Sequence, residues 1–144
     1  MAQSQHLILA SASPRRLELL QQVGLEPERL LPADIDEAQH GSEHPRSLAK
    51  RLSQGKAEAA VAVLERLQER AGRFVLAADT VVCVGRQVMP KAELIEDAHA
   101  NLRILSGRTH RVYTGVCVIG PSGRLHQPPV SYTHLRAHET GRNL

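Results

Sequence analysis

A short turn near the amino terminus combines residue types that bind phosphate. Residues 11–16 read Ser-Ala-Ser-Pro-Arg-Arg and precede a helical pattern over residues 17–23. Ser13 suits the N-cap, and Pro14 suits the first helical turn, where its missing N–H costs nothing. Such a helix terminus would present backbone N–H groups, two hydroxyls and two guanidinium groups to an anion. A capped helix with solvated arginines is the alternative interpretation.

A carboxylate lies inside an apolar stretch further along the chain. Asp79 interrupts residues 75–82, which are otherwise valine, leucine and alanine apart from Thr80. An ionised carboxylate among apolar side chains is costly unless a cation or hydrogen-bond donors meet it. We therefore expect a positive group beside Asp79, and an exposed aspartate at a strand end is the alternative.

Three more charged residues complete a set that could handle phosphates. Lys56 follows Leu52 by four residues on the apolar side of a helical pattern, so its ammonium group should lie over the core edge unless it extends to solvent. Glu37 lies in an acidic loop and Lys91 follows a predicted hairpin, and each alone is an ordinary surface charge. Combined with Asp79 and the two arginines, they could hold a triphosphate and a divalent ion, Mg²⁺ or Mn²⁺.

The elements that would position these residues alternate between strand and helix. A long amphipathic helix is predicted from Pro45 to the stop at Gly72, and its apolar face is predicted to carry Leu48, Leu52, Ala59, Val63 and Leu67. Strands are predicted at residues 6–10, 74–84 and 112–119, with an extended segment at 27–43, a hairpin at 85–89 and a helix at 98–105. This alternation predicts an α/β layer fold.

Length and composition exclude several classes of protein. The 144 residues are 42% hydrophobic and 23% charged, which suits one domain with an aliphatic core. A net charge of +3 with one Phe and two Tyr does not favour nucleic acid as a partner. The lack of a long apolar run or a signal peptide predicts a cytoplasmic protein without a membrane partner. Cys83 and Cys117 are assigned no chemistry, and His110 is expected at the surface, outside the catalytic set.

Four motifs, taken together, resemble the Maf family of nucleoside triphosphate pyrophosphatases. They are Leu-Ala-Ser-Ala-Ser-Pro-Arg-Arg-Leu-Glu-Leu-Leu at residues 9–20, Arg-Leu at 51–52 with Lys-Ala at 56–57, Ala-Ala-Asp-Thr-Val-Val at 77–82, and Leu-Ser-Gly-Arg-Thr-His at 105–110 with Val-Tyr-Thr-Gly at 112–115. The resemblance implies an α/β fold of the Maf and inosine-triphosphatase type, in which an elongated mixed sheet is flanked by helices and a cleft receives the nucleotide.

The resemblance also implies a reaction and a set of residue roles. Members of the family hydrolyse a nucleoside triphosphate between its α and β phosphates with a divalent metal. The Met-Pro-Lys form at residues 89–91 and the motif Ser-Gly-Arg-Thr-His-Arg-Val-Tyr-Thr-Gly at residues 106–115 look closest to the branch acting on dTTP and UTP, and the branch favouring 7-methyl-GTP is the alternative. Asp79 matches the proposed proton acceptor, Lys56 and Glu37 match further catalytic positions, and Asp79 and Glu37 are the implied metal ligands. The implied substrate-binding residues are Ser11, Ser13, Arg15, Arg16 and Lys91. A non-catalytic nucleotide-binding regulator of cell division is the alternative, and a homodimer is left open.

The end of the chain departs from the family pattern. Members of the family continue beyond the strand at residues 112–119 with segments that complete the cleft. The stretch from Ser131 shows neither helical nor strand period and looks like translated sequencing-adapter material. We therefore expect a Maf-like domain at residues 1–129 that is incomplete at its carboxyl end, and a foreign, unanchored tail at residues 130–144.

Overall fold

Helices alternate with strands in the first half of the chain, and strands follow in the second. The computed structural model describes residues 6–85, 87–89 and 109–136. The elements in chain order are β1 (Leu7–Leu9), α1 (Pro14–Gln22), β2 (Arg29–Leu30), α2 (Pro45–Arg66), β3 (Phe74–Val84), β4 (Gln87–Val88), β5 (Thr109–Ile119), β6 (Leu125–His126) and β7 (Ser131–Arg136). Within these ranges, no helix is both long enough and apolar enough to cross a membrane.

The strands of the described ranges form one mixed sheet. Five of them lie side by side in the order β2, β1, β3, β5, β6, while β4 pairs with β3 and β7 pairs with β5. β1 is parallel to both β2 and β3, and the other pairs are antiparallel. The longest ladder joins β3 to β5, from Val75 opposite Ile119 to Val84 opposite His110. β3 is therefore the central strand, in agreement with its nearly continuous apolar sequence.

Helix α2 packs on β3 and β5. One apolar cluster joins the second half of the helix, including Ala60 and Leu64, to Val75 of β3. A second cluster joins Leu48 and Leu52 to other residues of the two strands, including Val81 and Tyr113. Asp79 lies between the strand residues of these two clusters, so the polar site interrupts an otherwise apolar interface.

The sequence predicts the class and the main elements correctly, and the differences have physical causes. The mixed α/β sheet, the start of α1 and the bounds of β3 are confirmed. α2 ends at Arg66, before Gly72, because the chain turns where Gln68 adopts a positive φ of 57°. Leu67 therefore lies past the end of the helix and is exposed. Within the helix, the predicted face is rotated from the observed one, and Ala59 and Val63 are only half-buried. The buried face instead runs through Ala57, Ala60 and Leu64.

The segment from Ser131 differs most from expectation. It forms β7, with Ser131 opposite Thr114 and Arg136 opposite Thr109 on β5. A strand can add to an open sheet edge through its backbone alone. The side chains of residues 131–134 are exposed, which explains why the sequence lacks a buried strand pattern there. An unanchored segment is therefore wrong for residues 131–136, whereas a domain boundary near residue 129 stays a prediction.

Candidate active site

The turn between β1 and α1 is organised by its own hydroxyl groups. The backbone N–H of Ser13 donates to Ser11 Oγ at 3.0 Å, and the N–H of Arg16 donates to Ser13 Oγ at 3.3 Å. Ser13 is thus the N-cap and Pro14 begins the helix, as predicted. Ser11 is buried and Arg15 is exposed. The turn combines a helix amino terminus with a charge that is open to solvent, an arrangement suited to an anion.

Arg16 connects this turn to the central strand. Its Nη2 donates to Thr80 Oγ1 at 3.4 Å, and the Thr80 hydroxyl lies 3.2 Å from that of Thr114 on β5. Arg16 is half-buried and donates this hydrogen bond to Thr80, whereas Arg15 is exposed. Because Thr80 directly follows Asp79, this hydrogen bond places the turn at the start of α1 next to Asp79.

Asp79 and Lys56 form a buried ion pair. Lys56 Nζ lies 2.6 Å from Asp79 Oδ1, and the aspartate side chain is only 1% exposed. The same ammonium lies 3.4 Å from Oε1 of Glu37, whose side chain is 44% exposed. The positive group predicted beside Asp79 is therefore present, and Lys56 lies over the core edge instead of extending into solvent. One cation bridges a buried carboxylate and a more accessible one.

A glycine lets the helix carry Lys56 close to the sheet. Gly115 lies opposite Asp79 in the ladder between β3 and β5. A Cβ atom at this position would lie 2.4 Å from the carbonyl oxygen of Ala49 and 3.0 Å from Ser53 Oγ, both on α2. Only a residue without a side chain permits this approach. Ser53 is one helical turn before Lys56, so the close contact fixes the height of the ammonium above Asp79.

The strand order explains why these residues meet. β1 lies between β2 and β3 and is parallel to both, so the chain passes from β1 to one neighbour and later enters the other. Such a reversal leaves a crevice at the carboxyl ends of the strands, where ligands bind in open α/β sheets. Ser11 follows the end of β1, and Asp79 lies beyond Leu76, where the pairing of β1 with β3 ends. Because successive strand residues point to opposite faces, Asp79 meets α2 while Thr80 meets Arg16.

The loop that carries Glu37 is tied to α2. Arg51 donates from Nε and Nη2 to the two carboxylate oxygens of Glu43, at 2.9 and 3.0 Å, and from Nη2 to the carbonyl oxygen of Ala38 at 2.9 Å. These hydrogen bonds from Arg51 lower the pKa of Glu43, and Glu43 in turn raises the pKa of Arg51. The loop is therefore fixed one residue away from Glu37.

The donor set suits a hard divalent cation. Mg²⁺ is commonly held by one or two carboxylates together with substrate phosphates and water. Asp79 and Glu37 lie against one ammonium group, which brings two carboxylates to one place. Among the described residues, no group of three or more His, Cys, Asp or Glu side chains is arranged to hold a metal. Two carboxylates at one place are a donor set that a cation could use together with phosphate and water oxygens.

The two cysteines and His110 are all buried. Cys83 and Cys117 are buried free thiols, and burial raises the pKa of Cys117 to about 11, which agrees with the absence of assigned chemistry. His110 is buried, and the surface position expected for it is wrong because β5 begins at Thr109 and includes it in the ladder. Its Nδ1 has no hydrogen-bond partner among the described residues.

The structure brings together most of the predicted site and adds residues to it. Lys56, Asp79 and Glu37 form one cluster, and Ser11, Ser13 and Arg16 form the adjoining turn. Lys91 and the predicted helix at residues 98–105 lie outside the described residues. Gly115, Thr80 and Arg51 are not among the site residues predicted from the sequence. A glycine inside an apolar strand was a usable signal for the first of these, whereas the other two depend on contacts between distant segments.

The sheet order and the crevice expected at the carboxyl ends of its strands define an open α/β protein. The solved Ham1 protein of Staphylococcus aureus has this fold, with a TM-score of 0.50 at 15% identity over 90% of this chain and 69% of that one. The chain belongs to the Maf family, since the model for Maf-like protein matches residues 6–140. The family resemblance seen in the motifs is confirmed.

Relatives with assigned names are close in sequence. A dTTP/UTP pyrophosphatase of Mesorhizobium japonicum is 63% identical over 123 residues, which are 85% of this chain and 59% of the relative. A dTTP/UTP pyrophosphatase of Brucella abortus is 55% identical over 136 residues, which are 94% of this chain and 65% of the relative. The chain therefore spans less than two thirds of the length of these relatives.

Proposed function

We propose that this chain carries the catalytic site of a nucleoside triphosphate pyrophosphatase that acts on dTTP and UTP. The observation that carries the proposal is the buried Asp79–Lys56 pair, which lies next to Thr80 and hence next to the phosphate-type turn of α1. The names of the Mesorhizobium and Brucella relatives support the reaction and the bases. The substrate is a nucleotide, and neither nucleic acid nor a membrane is a partner in this proposal.

The turn at residues 11–16 binds the phosphates. Backbone N–H groups at the start of α1 and the Arg15 and Arg16 guanidiniums donate to phosphate oxygens, and the helix dipole adds to the attraction. Ser11 and Ser13 shape the turn through their hydroxyls. Lys91 is proposed as a further phosphate contact.

Asp79 acts as the proton acceptor and Lys56 neutralises negative charge in the proposed reaction. A water oxygen attacks the α phosphorus, the bond from that phosphorus to the bridging oxygen breaks, and pyrophosphate leaves with the electron pair. Asp79 accepts the proton of the water, and Lys56 with the arginines offsets the negative charge that builds on the phosphates. Glu37 and Asp79 would hold a divalent cation, Mg²⁺ or Mn²⁺, which supplies Lewis-acid stabilisation of the phosphate oxygens.

Pyrophosphate release from a panel of nucleoside triphosphates tests this proposal, with nucleotide binding measured in parallel. Asp79→Asn should lower turnover by roughly 10²–10⁴, while nucleotide affinity stays within about tenfold. Asp34→Asn is the matched control, since this exposed aspartate lies outside the site and the same chemical change should leave turnover unaltered. Wild-type turnover in Asp79→Asn would refute the assignment.

A second experiment is needed because the chain spans less than two thirds of the length of its relatives. The same substitutions are introduced into a chimera in which the chain up to Pro129 continues into the corresponding carboxyl part of the Mesorhizobium relative. Pyrophosphate release by the chimera but not by the 144-residue chain would show that turnover also needs the carboxyl part supplied by the relative. Binding without release in both proteins would favour the nucleotide-binding regulator instead.

A further inference from the structure

The loop at residues 36–43 is closed on itself around one carboxylate. The N–H of His40 donates to Glu43 Oε1 at 3.2 Å, and the N–H of Glu43 donates to the carbonyl oxygen of His40 at 2.9 Å. Gln39 Nε2 donates to the Glu43 carbonyl oxygen at 2.6 Å, and the N–H of Ala38 donates to Asp36 Oδ1 at 3.0 Å. These bonds give an exposed loop a defined backbone path.

Arg51 attaches this closed loop to α2. Its fork reaches both oxygens of Glu43 and also the Ala38 carbonyl, so three donor contacts at 2.9–3.0 Å originate from one side chain. The Glu43 side chain is only 14% exposed, which reduces the competition from water. A planar guanidinium can make these contacts at once, whereas a lysine ammonium cannot reproduce the bidentate geometry.

Two side chains of α2 contact Glu37 or the residue directly after it. Arg51 grips the loop at Ala38, and Lys56, five positions later on α2, lies 3.4 Å from Glu37 Oε1. Glu37 is the most exposed member of its cluster, so the path of the loop that carries it affects its position more than it affects the buried Asp79. The contact of Arg51 with the Ala38 carbonyl oxygen fixes the backbone directly after Glu37, which helps to set where its carboxylate lies.

We propose that Arg51 is a positioning residue that holds the Glu37 carboxylate against Lys56 by clamping the loop at Ala38 and Glu43. The part of this inference that concerns turnover rests on the proposed function of Glu37. Helix α2 would then contribute to the site in two ways. It carries Lys56 itself, and through Arg51 it positions the loop that carries Glu37. A simple surface salt bridge would instead contribute a small amount to stability and nothing to the site.

Hydrogen exchange on the 144-residue chain tests the clamp without any substrate. Arg51→Lys keeps the charge and should raise amide exchange at least fivefold in peptides covering residues 36–43, while peptides of β3 remain unchanged. Arg66→Lys, at the exposed end of the same helix, is the matched control and should alter neither. Glu43→Gln removes the other half of the clamp and should reproduce the loop effect. Unchanged loop exchange in both clamp variants would overturn the proposal.

Kinetics separate a positioning role from a structural one. Arg51→Lys is introduced into whichever protein releases pyrophosphate, the 144-residue chain or the chimera. It should lower kcat at least tenfold, while KM for the nucleotide stays within twofold and the melting temperature is unchanged. A wild-type kcat despite a loosened loop would show that Arg51 orders the loop without serving the site. If the wild-type proteins release no pyrophosphate, the proposed function fails, and the exchange data still decide whether Arg51 holds the loop.

Discussion

Gly115→Ala tests whether the close approach of α2 to β5 sets the site. The added Cβ would lie 2.4 Å from the carbonyl oxygen of Ala49 and 2.7 Å from its carbonyl carbon. Both are backbone atoms, so no side chain can rotate away to make room. The helix must move outward by roughly 0.6 Å or more to restore a 3.0 Å separation, which is overpacking of a tightly packed interface.

The expected cost follows from that displacement. Forced expansion of a packed core typically costs about 1–3 kcal/mol, which for a chain of this size lowers Tm by about 4–12 °C. The shift also lengthens the 2.6 Å contact between Lys56 and Asp79, since Lys56 lies one turn beyond Ser53. Turnover per folded molecule should therefore fall together with stability.

Thermal unfolding followed by circular dichroism measures the effect, with Gly120→Ala as the matched control. At Gly120 the nearest atom to an added Cβ is 3.7 Å away, so this variant should be neutral or slightly stabilising. Should Gly115→Ala melt within a degree of wild type and of the control, the close approach would not be a constraint and the reasoning would be wrong.

Three further outcomes follow from the described contacts. Lys56→Met removes the ammonium 2.6 Å from the buried Asp79 and should lower stability by about 3–5 kcal/mol. The double variant with Asp79→Leu should recover most of that loss in denaturant titrations, and a single variant as stable as wild type would contradict this. Because burial raises the pKa of Cys117 from an ordinary 9.0 to about 11, the fold favours the neutral thiol. Iodoacetamide should therefore label Cys117 only after unfolding, and this contribution to stability should be lost as the pH rises from about 9 to 11. Fast labelling of the native chain would refute that. Ending the chain at Pro129 should cost only about 1–2 kcal/mol from lost cross-strand pairs, but light scattering should show self-association because an edge of β5 is opened. A monodisperse truncated chain, or a much larger loss of stability, would count against this.

Local patterns were sufficient for the elements that rest on local chemistry. The serine and proline at positions 13 and 14 determine where α1 begins, and the apolar run bounded by polar turns determines β3. A positive group beside Asp79 could be predicted from sequence because an unmatched buried carboxylate would be costly. That this group is Lys56 follows only from the structure. The motifs then point to the proposed reaction, which geometry alone does not specify.

Features that depend on the meeting of distant segments could not be predicted in the same way. The two residues of β2 are too few to show a period, and they become a strand only because β1 offers its edge. His110 is buried because β5 extends three residues beyond the predicted start at Val112. The clamp of Arg51 requires a fold in which residues 36–43 return to α2, and an arginine on a helix carries no sign of that.

The parallel pairing of β1 with β3 has a consequence for how the protein is made. Leu7 lies opposite Phe74, about 67 positions later in the chain. A ribosome that adds about 5–20 residues per second delivers β3 roughly 3–13 seconds after β1. Throughout that interval the Leu-Ile-Leu strand lacks its partner β3, and the residues on either side of the crevice cannot meet. The rate of synthesis across residues 10–73 therefore sets how long one edge of β1 stays unpaired in a new molecule.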